Sequence, residues 1–289
     1  MIQVVRTPER HTVQDRLPAD NTTPLTADQV EQFGRDGYLM IDNLFRDEEV
    51  ELMLRVARED RLLHEHAYGR KDTEGRESRL ALWNHPGDDL FGVVSRSRRI
   101  VDAMEQLLGG EVYHYHSKLM LKEPRVGGAW EWHQDYGYWY QNGCLFPWMA
   151  SCLIALDRAT RANGCLQVVK GSHHMGRVEH GQFGEQTGAD PERVRAAKER
   201  LEHVYCEMAP GSGLFFHGNL LHASDANTSP DSRWSLICCY NAARNDPYKE
   251  SHHPRYTPLD KAPDSAIMQI GYELSSADKA FLDPARDKS

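Results

Sequence analysis

His133 and Asp135 stand two residues apart, His222 follows at a distance in the chain, and Arg233 comes shortly after it. On an extended strand, side chains at i and i+2 leave the same face, so this pair offers one imidazole and one carboxylate to a common point. A second imidazole, His222, brought in by a distant strand would complete a set of two histidines and one carboxylate. Such a set occupies one face of a first-row divalent metal and leaves the opposite positions free, as in non-haem Fe(II) oxygenases. Arg233 adds a planar fork of N–H donors that matches a carboxylate. Together these residues describe O2 chemistry at Fe(II) with an oxo-acid as co-substrate.

A His-x-Asp triplet carries little weight alone in a chain with 15 histidines, so its setting matters. His133 lies in an aromatic, strand-like run with Trp130, Trp132, Tyr136, Tyr138, Trp139 and Tyr140. His222 closes the apolar stretch from Leu214, and Arg233 heads another, Trp234 to Tyr240. Runs rich in strand formers recur at 112–121, 130–140, 148–156, 164–169, 204–208, 213–217 and 234–241, bounded by Gly, Pro, Asn and Asp. Upstream the pattern is helical. A capping box, Thr26 to Gln29, opens a helix to about Arg35 that Gly37 stops, followed by a strand from Tyr38 to Ile41. Further helices are expected over Asp47 to Leu63, over Ser97 to Leu108, and from Asp190-Pro191 to His203. Helices first and then a series of short strands predict a mainly β fold, a double-stranded β-helix (jelly roll, cupin-like) buttressed by N-terminal helices. Residues 1–22 read as a polar tail and 23–289 as one domain.

The net charge of −9, without a basic block, argues against a nucleic-acid partner. The longest apolar stretch, Trp148 to Leu156, is too short to cross a bilayer, so no membrane partner is expected. The six cysteines show no CxxC spacing and mostly sit in apolar runs, which fits buried free thiols in a cytoplasmic protein, monomer or homodimer.

The segments His116–Lys122, Trp132–Asp135, Asn163–His173 and His222–Asn227, with Arg233 and Tyr240–Ala242, resemble the phytanoyl-CoA dioxygenase family of Fe(II)/2-oxoglutarate enzymes. The resemblance implies that His133, Asp135 and His222 bind Fe(II), and that Arg233, assisted by Ser224, pairs with the distal carboxylate of 2-oxoglutarate. It places His116 and Lys118 in the co-substrate pocket, with Met120 as an apolar wall. Trp139, Tyr138 and His173 become candidate substrate contacts. The implied reaction is hydroxylation of an unactivated C–H bond in a small polar metabolite, an amino acid or natural-product intermediate, with release of succinate and CO2. Members that halogenate carry a small residue where this chain has Asp135, which favours hydroxylation. His116 replaces an amide found in some members, and Leu153 a tryptophan. Two other readings compete: an acyl-CoA α-hydroxylase, which needs a basic channel, and a non-catalytic jelly roll that keeps a structural metal.

Other chemically suggestive residues have plainer readings. His173-His174 and His252-His253 are adjacent pairs that diverge on a strand and chelate one ion poorly. His64 and His66 lack the i,i+4 spacing of a helical metal pair, and Asn163-Gly164 reads as a hairpin turn. Arg125, Arg177 and Arg244 are substrate anchors only if loops bring them to the mouth, and solvation is their default. Cys238 and Cys239 face opposite sides of a strand.

Overall fold

The structure, a computed structural model, describes residues 24–276 and 279–286. The tail expected at 1–22 lies outside the described residues. Helix α1, Ala27–Asp36, begins at the expected capping box: Thr26 Oγ1 accepts from Gln29 N–H, and Gln29 Oε1 accepts from Thr26 N–H. It ends at Gly37, in left-handed backbone (φ +82°), where a β-carbon would also lie 2.4 Å from the His173 ring. Strand β1, Tyr38–Ile41, follows directly.

The helix expected over 47–63 is two, α2 (Asp47–Glu59) and α3 (Arg61–His66). Asp60 breaks it by adopting extended backbone and accepting hydrogen bonds from Leu62 and Leu63 N–H, so one residue ends one helix and caps the next. Strands β2 (Tyr68–Lys71) and β3 (Glu77–Trp83) come next. The sequence pattern does not predict them, because Arg70, Lys71, Glu77 and Arg79 make the pair read as polar; charge of this kind suits a sheet edge, which β2 forms. Helix α4 (Leu90–Arg96) precedes the expected α5 (Arg98–Leu108).

The strand procession begins with β4 (Val112–Lys122) and β5 (Trp130–His133). The run expected to stay extended to 140 turns instead into a short helix, α6 (Asp135–Trp139). Then come β6 (Met149–Ala155), β7 (Leu166–Val169), β8 (His180–Phe183) and β9 (Gln186–Ala189). Helix α7, Pro191–Lys198, starts on its Asp190 cap and stops short of the expected His203, which opens β10 (His203–Cys206). Strands β11 (Gly213–His217), β12 (His222–Ser224) and β13 (Arg233–Ala242), and helix α8 (Ala266–Ile270), complete the order.

The strands form a jelly roll. A seven-stranded sheet runs β1-β11-β6-β13-β4-β3-β2 and faces a four-stranded sheet, β10-β7-β12-β5, with β8-β9 as a separate hairpin. Every strand pairing is antiparallel. β13 is buried along its whole length because both its faces are covered. Leu236, Cys238 and Tyr240 join the helical layer with Met53, Val94 and Ile100, whereas Ile237 and Cys239 face the inter-sheet core with Phe216 and Trp130. The alternation expected to separate Cys238 from Cys239 is therefore present. Asn163-Gly164 is a turn, with Gly164 at φ +77° and Asn163 Oδ1 accepting from Thr160 N–H. It is not a hairpin: the strands flanking it, β6 and β7, belong to different sheets.

The helical layer is clipped together by a buried ion pair. Both Glu49 oxygens accept from the Arg99 guanidinium, at 2.8 and 2.9 Å, and Arg99 also donates to the Leu44 carbonyl. Burial alone would raise the Glu49 carboxyl, but Arg99 and the Arg46 N–H hold it below its ordinary range. Its stabilisation is complete above about pH 4.3 and is lost as pH falls through the lower folded-state value. Glu49→Ala, which leaves the largely buried Arg99 guanidinium with Asp264 and the Leu44 carbonyl as its remaining partners, should cost about 1.5–3 kcal/mol in urea unfolding at pH 7. The difference from the parent should shrink on acidification below pH 4, and a pH-independent difference would contradict the ion-pair account.

Candidate metal centre

His222 pairs directly across from His133 in the β12–β5 ladder. Opposed residues on neighbouring strands bring their side chains together, and the two ring centroids lie 4.1 Å apart. Asp135 reaches the same point from the first turn of α6, not from the strand as its spacing suggested. The chain bends there because Tyr136 N–H donates to the Gly218 carbonyl and Gly137 N–H to that of Gln134. Asp135 Oδ1 sits 3.5 Å from His133 Nε2 and 3.8 Å from His222 Nε2. One potential ligand atom from each of the three residues lies within 4.8 Å of the others, and all three side chains are buried.

The imidazoles are held in the tautomer a metal needs. His133 Nδ1 is 2.7 Å from the Glu131 carbonyl and His222 Nδ1 is 2.9 Å from the Leu220 carbonyl. A carbonyl oxygen only accepts, so each Nδ1 carries the hydrogen and each Nε2 lone pair is free. Burial, with His133 alongside, pushes His222 down to about 3, so it stays neutral at physiological pH. Burial would raise the Asp135 carboxyl, but Lys118 and the two histidines hold it far below its ordinary range, as a carboxylate. Tyr138 OH donates to Asp135 Oδ1 at 3.0 Å, and Ser151 Oγ to Oδ2 at 3.3 Å. The donor set suits a borderline divalent ion such as Fe(II), and among the described residues the group comprises these three alone.

A narrow cavity opens beside the group, lined by His133, His222, Lys118, Ser224 and Arg233, with Met120, Leu153, Phe216 and Ile237 as apolar walls. Arg233 is 4% exposed; its Nη1 donates to Ser235 Oγ, and its Nε has no partner. Burial pushes its guanidinium down to about 10, still charged at neutral pH. A larger cleft of about 390 Å³ lies on the outer side of β5, lined by Trp132, Phe183 and Val194 among others, but it holds none of the ligand group.

The remaining candidates are distributed less evenly. Trp139 is buried, and Tyr138 stacks 5.8 Å from the His133 ring. His116 does not line this small cavity. Its ring lies between Trp139 and His253, with neither nitrogen hydrogen-bonded, because the histidine of the 252–253 pair packs onto β4. His173 is not brought to the ligand group. Its Nε2 meets the Gly34 carbonyl and its ring packs on His174 and His217, against the end of α1. Arg244 caps α5, donating to the Leu108 and Gly109 carbonyls, and Arg177 pairs with Glu179. Sequence reasoning misses Lys122. It is 1% exposed and donates to Ser224 Oγ at 2.7 Å and to the Asp225 carbonyl. A signal for it exists: Lys118, Met120 and Lys122 alternate on one face of a strand rich in apolar and aromatic residues, where a buried ammonium needs partners.

Strand architecture and open ligand set define a class: the Fe(II)- and 2-oxoglutarate-dependent dioxygenases. Residues 33–235 match the family model for phytanoyl-CoA dioxygenase (PhyH), and the chain belongs to that family. It is 31% identical to the L-proline trans-4-hydroxylase of Streptomyces griseoviridis, over 80% of this chain and 92% of that one. It is 30% identical to the ectoine dioxygenase of Bordetella parapertussis, over 80% of each. Its fold is similar to EctD from S. alaskensis solved with 2-oxoglutarate and 5-hydroxyectoine, with TM-score 0.66, 25% identity, and coverage of 90% of this chain and 88% of that one. The same enzyme with bound Fe aligns with TM-score 0.67 at 27% identity, covering 80% and 81%. No helix among the described residues is long and apolar enough to cross a membrane.

Ser151→Ala should release the outer oxygen of Asp135 and weaken Fe(II) binding about ten- to a hundredfold, measured by anaerobic chelator competition. Unchanged affinity would mean that Tyr138 and packing alone orient the carboxylate.

Proposed function

We propose that this enzyme hydroxylates an unactivated C–H bond of a small polar metabolite, an amino acid or compact natural-product intermediate. The observation that carries the reading is the buried His133, Asp135 and His222 cluster beside a cavity that Arg233 lines. The relatives that act on L-proline and ectoine support "small" and "polar". Residues 23–289 fit this reading as one catalytic domain.

Each side chain then has a defined task. His133, Asp135 and His222 hold Fe(II), with tautomers set by the Glu131 and Leu220 carbonyls. Arg233 receives the distal carboxylate of 2-oxoglutarate, Ser224 adds a hydroxyl, and Lys118 adds positive charge from the opposing sheet. Lys122 holds the Ser224 hydroxyl in place. Met120, Leu153 and Ile237 keep that end dry. When bound, Fe(II), 2-oxoglutarate and O2 supply the oxidising power, with succinate and CO2 as by-products. The protein contributes orientation, charge and exclusion of water. On the other side, Tyr138, Trp139 and His116 form the wall a substrate would meet.

A succinate-release screen over amino acids, betaines and acyl-CoAs tests the substrate class, and turnover confined to acyl-CoAs would refute it. Asp135→Ala and His222→Ala should each abolish substrate-dependent succinate formation; wild-type turnover in either would displace the ligand assignment. Arg233→Ala should raise the apparent KM for 2-oxoglutarate tenfold or more, since a charge-assisted bidentate contact is worth about 1.5–3 kcal/mol. An unchanged KM would put the clamp elsewhere.

A further inference from the structure

The residue between two of the ligands, Gln134, has no part in the chemistry described so far, yet it is fully buried. Lying between His133 and Asp135, its side chain leaves the ligand group and enters the protein on the far side of β5. There it is saturated. Its amide nitrogen donates to the carbonyls of Gly176, at 2.9 Å, and Asn219, at 2.8 Å, and its amide oxygen accepts from Val178 N–H at 2.7 Å. Its backbone N–H donates to His180 Nε2 at 2.9 Å, and the His180 Nδ1 hydrogen goes to the Val178 carbonyl. Gln134 is also the N-cap residue of α6, but its side chain makes no capping bond to that helix. The amide is committed elsewhere.

Two of these side-chain bonds go to the 176–178 segment, and the third, to Asn219, reaches the segment that carries the third ligand. Asn219 immediately precedes Leu220, whose carbonyl fixes the tautomer of His222. The ladder between β5 and β12 is short and irregular. After His222 opposite His133, the register shifts, and Ser224 lies opposite Trp130. So brief a ladder is a weak constraint on the spacing of two ligand-bearing segments.

We propose that Gln134 is a positioning residue of the metal centre: its amide clamps the His133–Asp135 turn to the 219–222 segment and so sets the separation of the ligands. The proposal rests on the Fe(II)/2-oxoglutarate reading above. It assigns the glutamine a task that neither glutamate nor an apolar isostere performs. Glutamate loses both donors and turns an anionic oxygen toward two carbonyls, and methionine fills similar volume with no hydrogen bonds.

The test uses full-length Gln134→Met and Gln134→Glu in metal-free form. Fe(II) affinity is measured by anaerobic chelator competition, the Fe(II)·2-oxoglutarate charge-transfer band by absorption, and melting temperature with and without Fe(II). A clamp predicts Fe(II) affinity reduced ten- to a hundredfold, a displaced or broadened band, and a smaller Fe(II)-induced rise in Tm than the parent shows. A residue that only supports folding predicts a lower metal-free Tm, with the parent's affinity, band and Fe(II)-induced rise intact, and that result overturns the proposal. Should both variants fail to fold, Gln134→Asn keeps the amide chemistry but is one methylene short of its partners, and the same three readouts separate clamp from folding support in the same way. A parent protein that binds no Fe(II), or shows no band with 2-oxoglutarate, would sink the functional reading and the clamp together. A parent that binds and variants that match it sink the clamp alone.

Discussion

Everything at the metal centre depends on the pairing of β12 with β5. Two strands remote in sequence lie side by side in the smaller sheet, and His222 falls directly opposite His133. Their register decides whether two imidazoles face one another or point to opposite faces, because a one-residue slip in a strand reverses every side chain. Asp135 depends on the same event, since the turn that brings it back is anchored to the Gly218 carbonyl, just upstream of β12. The seven-stranded sheet acts as the platform. Its central strands β6, β13 and β4 are buried on both faces, so the small sheet packs on a surface backed by the helical layer.

Much of this is readable from the sequence, for a definite reason. Motifs whose members are close in sequence, or sit at strand ends next to apolar runs, carry their geometry with them. The capping box at Thr26, the stop at Gly37, the strands around 112–122 and 233–242, and the ligand identities all belong to this class. What sequence does not reveal is anything decided by partners distant in the chain. The spacing of Asp135 from His133 allows both to share a strand, whereas a contact with Gly218 bends the backbone. Strand alternation alone would direct His116 into the cavity. Its ring also stacks against His253, well over a hundred residues away, a contact that no local pattern announces. The β2–β3 pair is hidden because an edge can be polar, and Asp60 shows itself as a helix break only through its carboxylate on the Leu62 and Leu63 amides.

The electrostatics of the cavity show how a small buried space tolerates several cations. Lys122 and Arg233 face each other across the β4–β13 ladder, and an unpaired buried charge costs several kcal/mol. The two groups respond differently. Burial, and then the neighbouring guanidinium, push Lys122 far below the ordinary lysine range, and its amine donates to Ser224 and the Asp225 carbonyl. Arg233 is lowered only to about 10 and keeps its charge. Arg233 therefore presents its charge to the cavity as a planar fork, alongside Lys118. A buried guanidinium whose Nε lacks a partner, in a cavity with Met120, Leu153 and Ile237 as apolar walls, favours a planar anion over a hydrated one. Ligand geometry on one side and charge placement on the other thus select for the same kind of molecule, one that can meet a metal through one end and a buried guanidinium through the other.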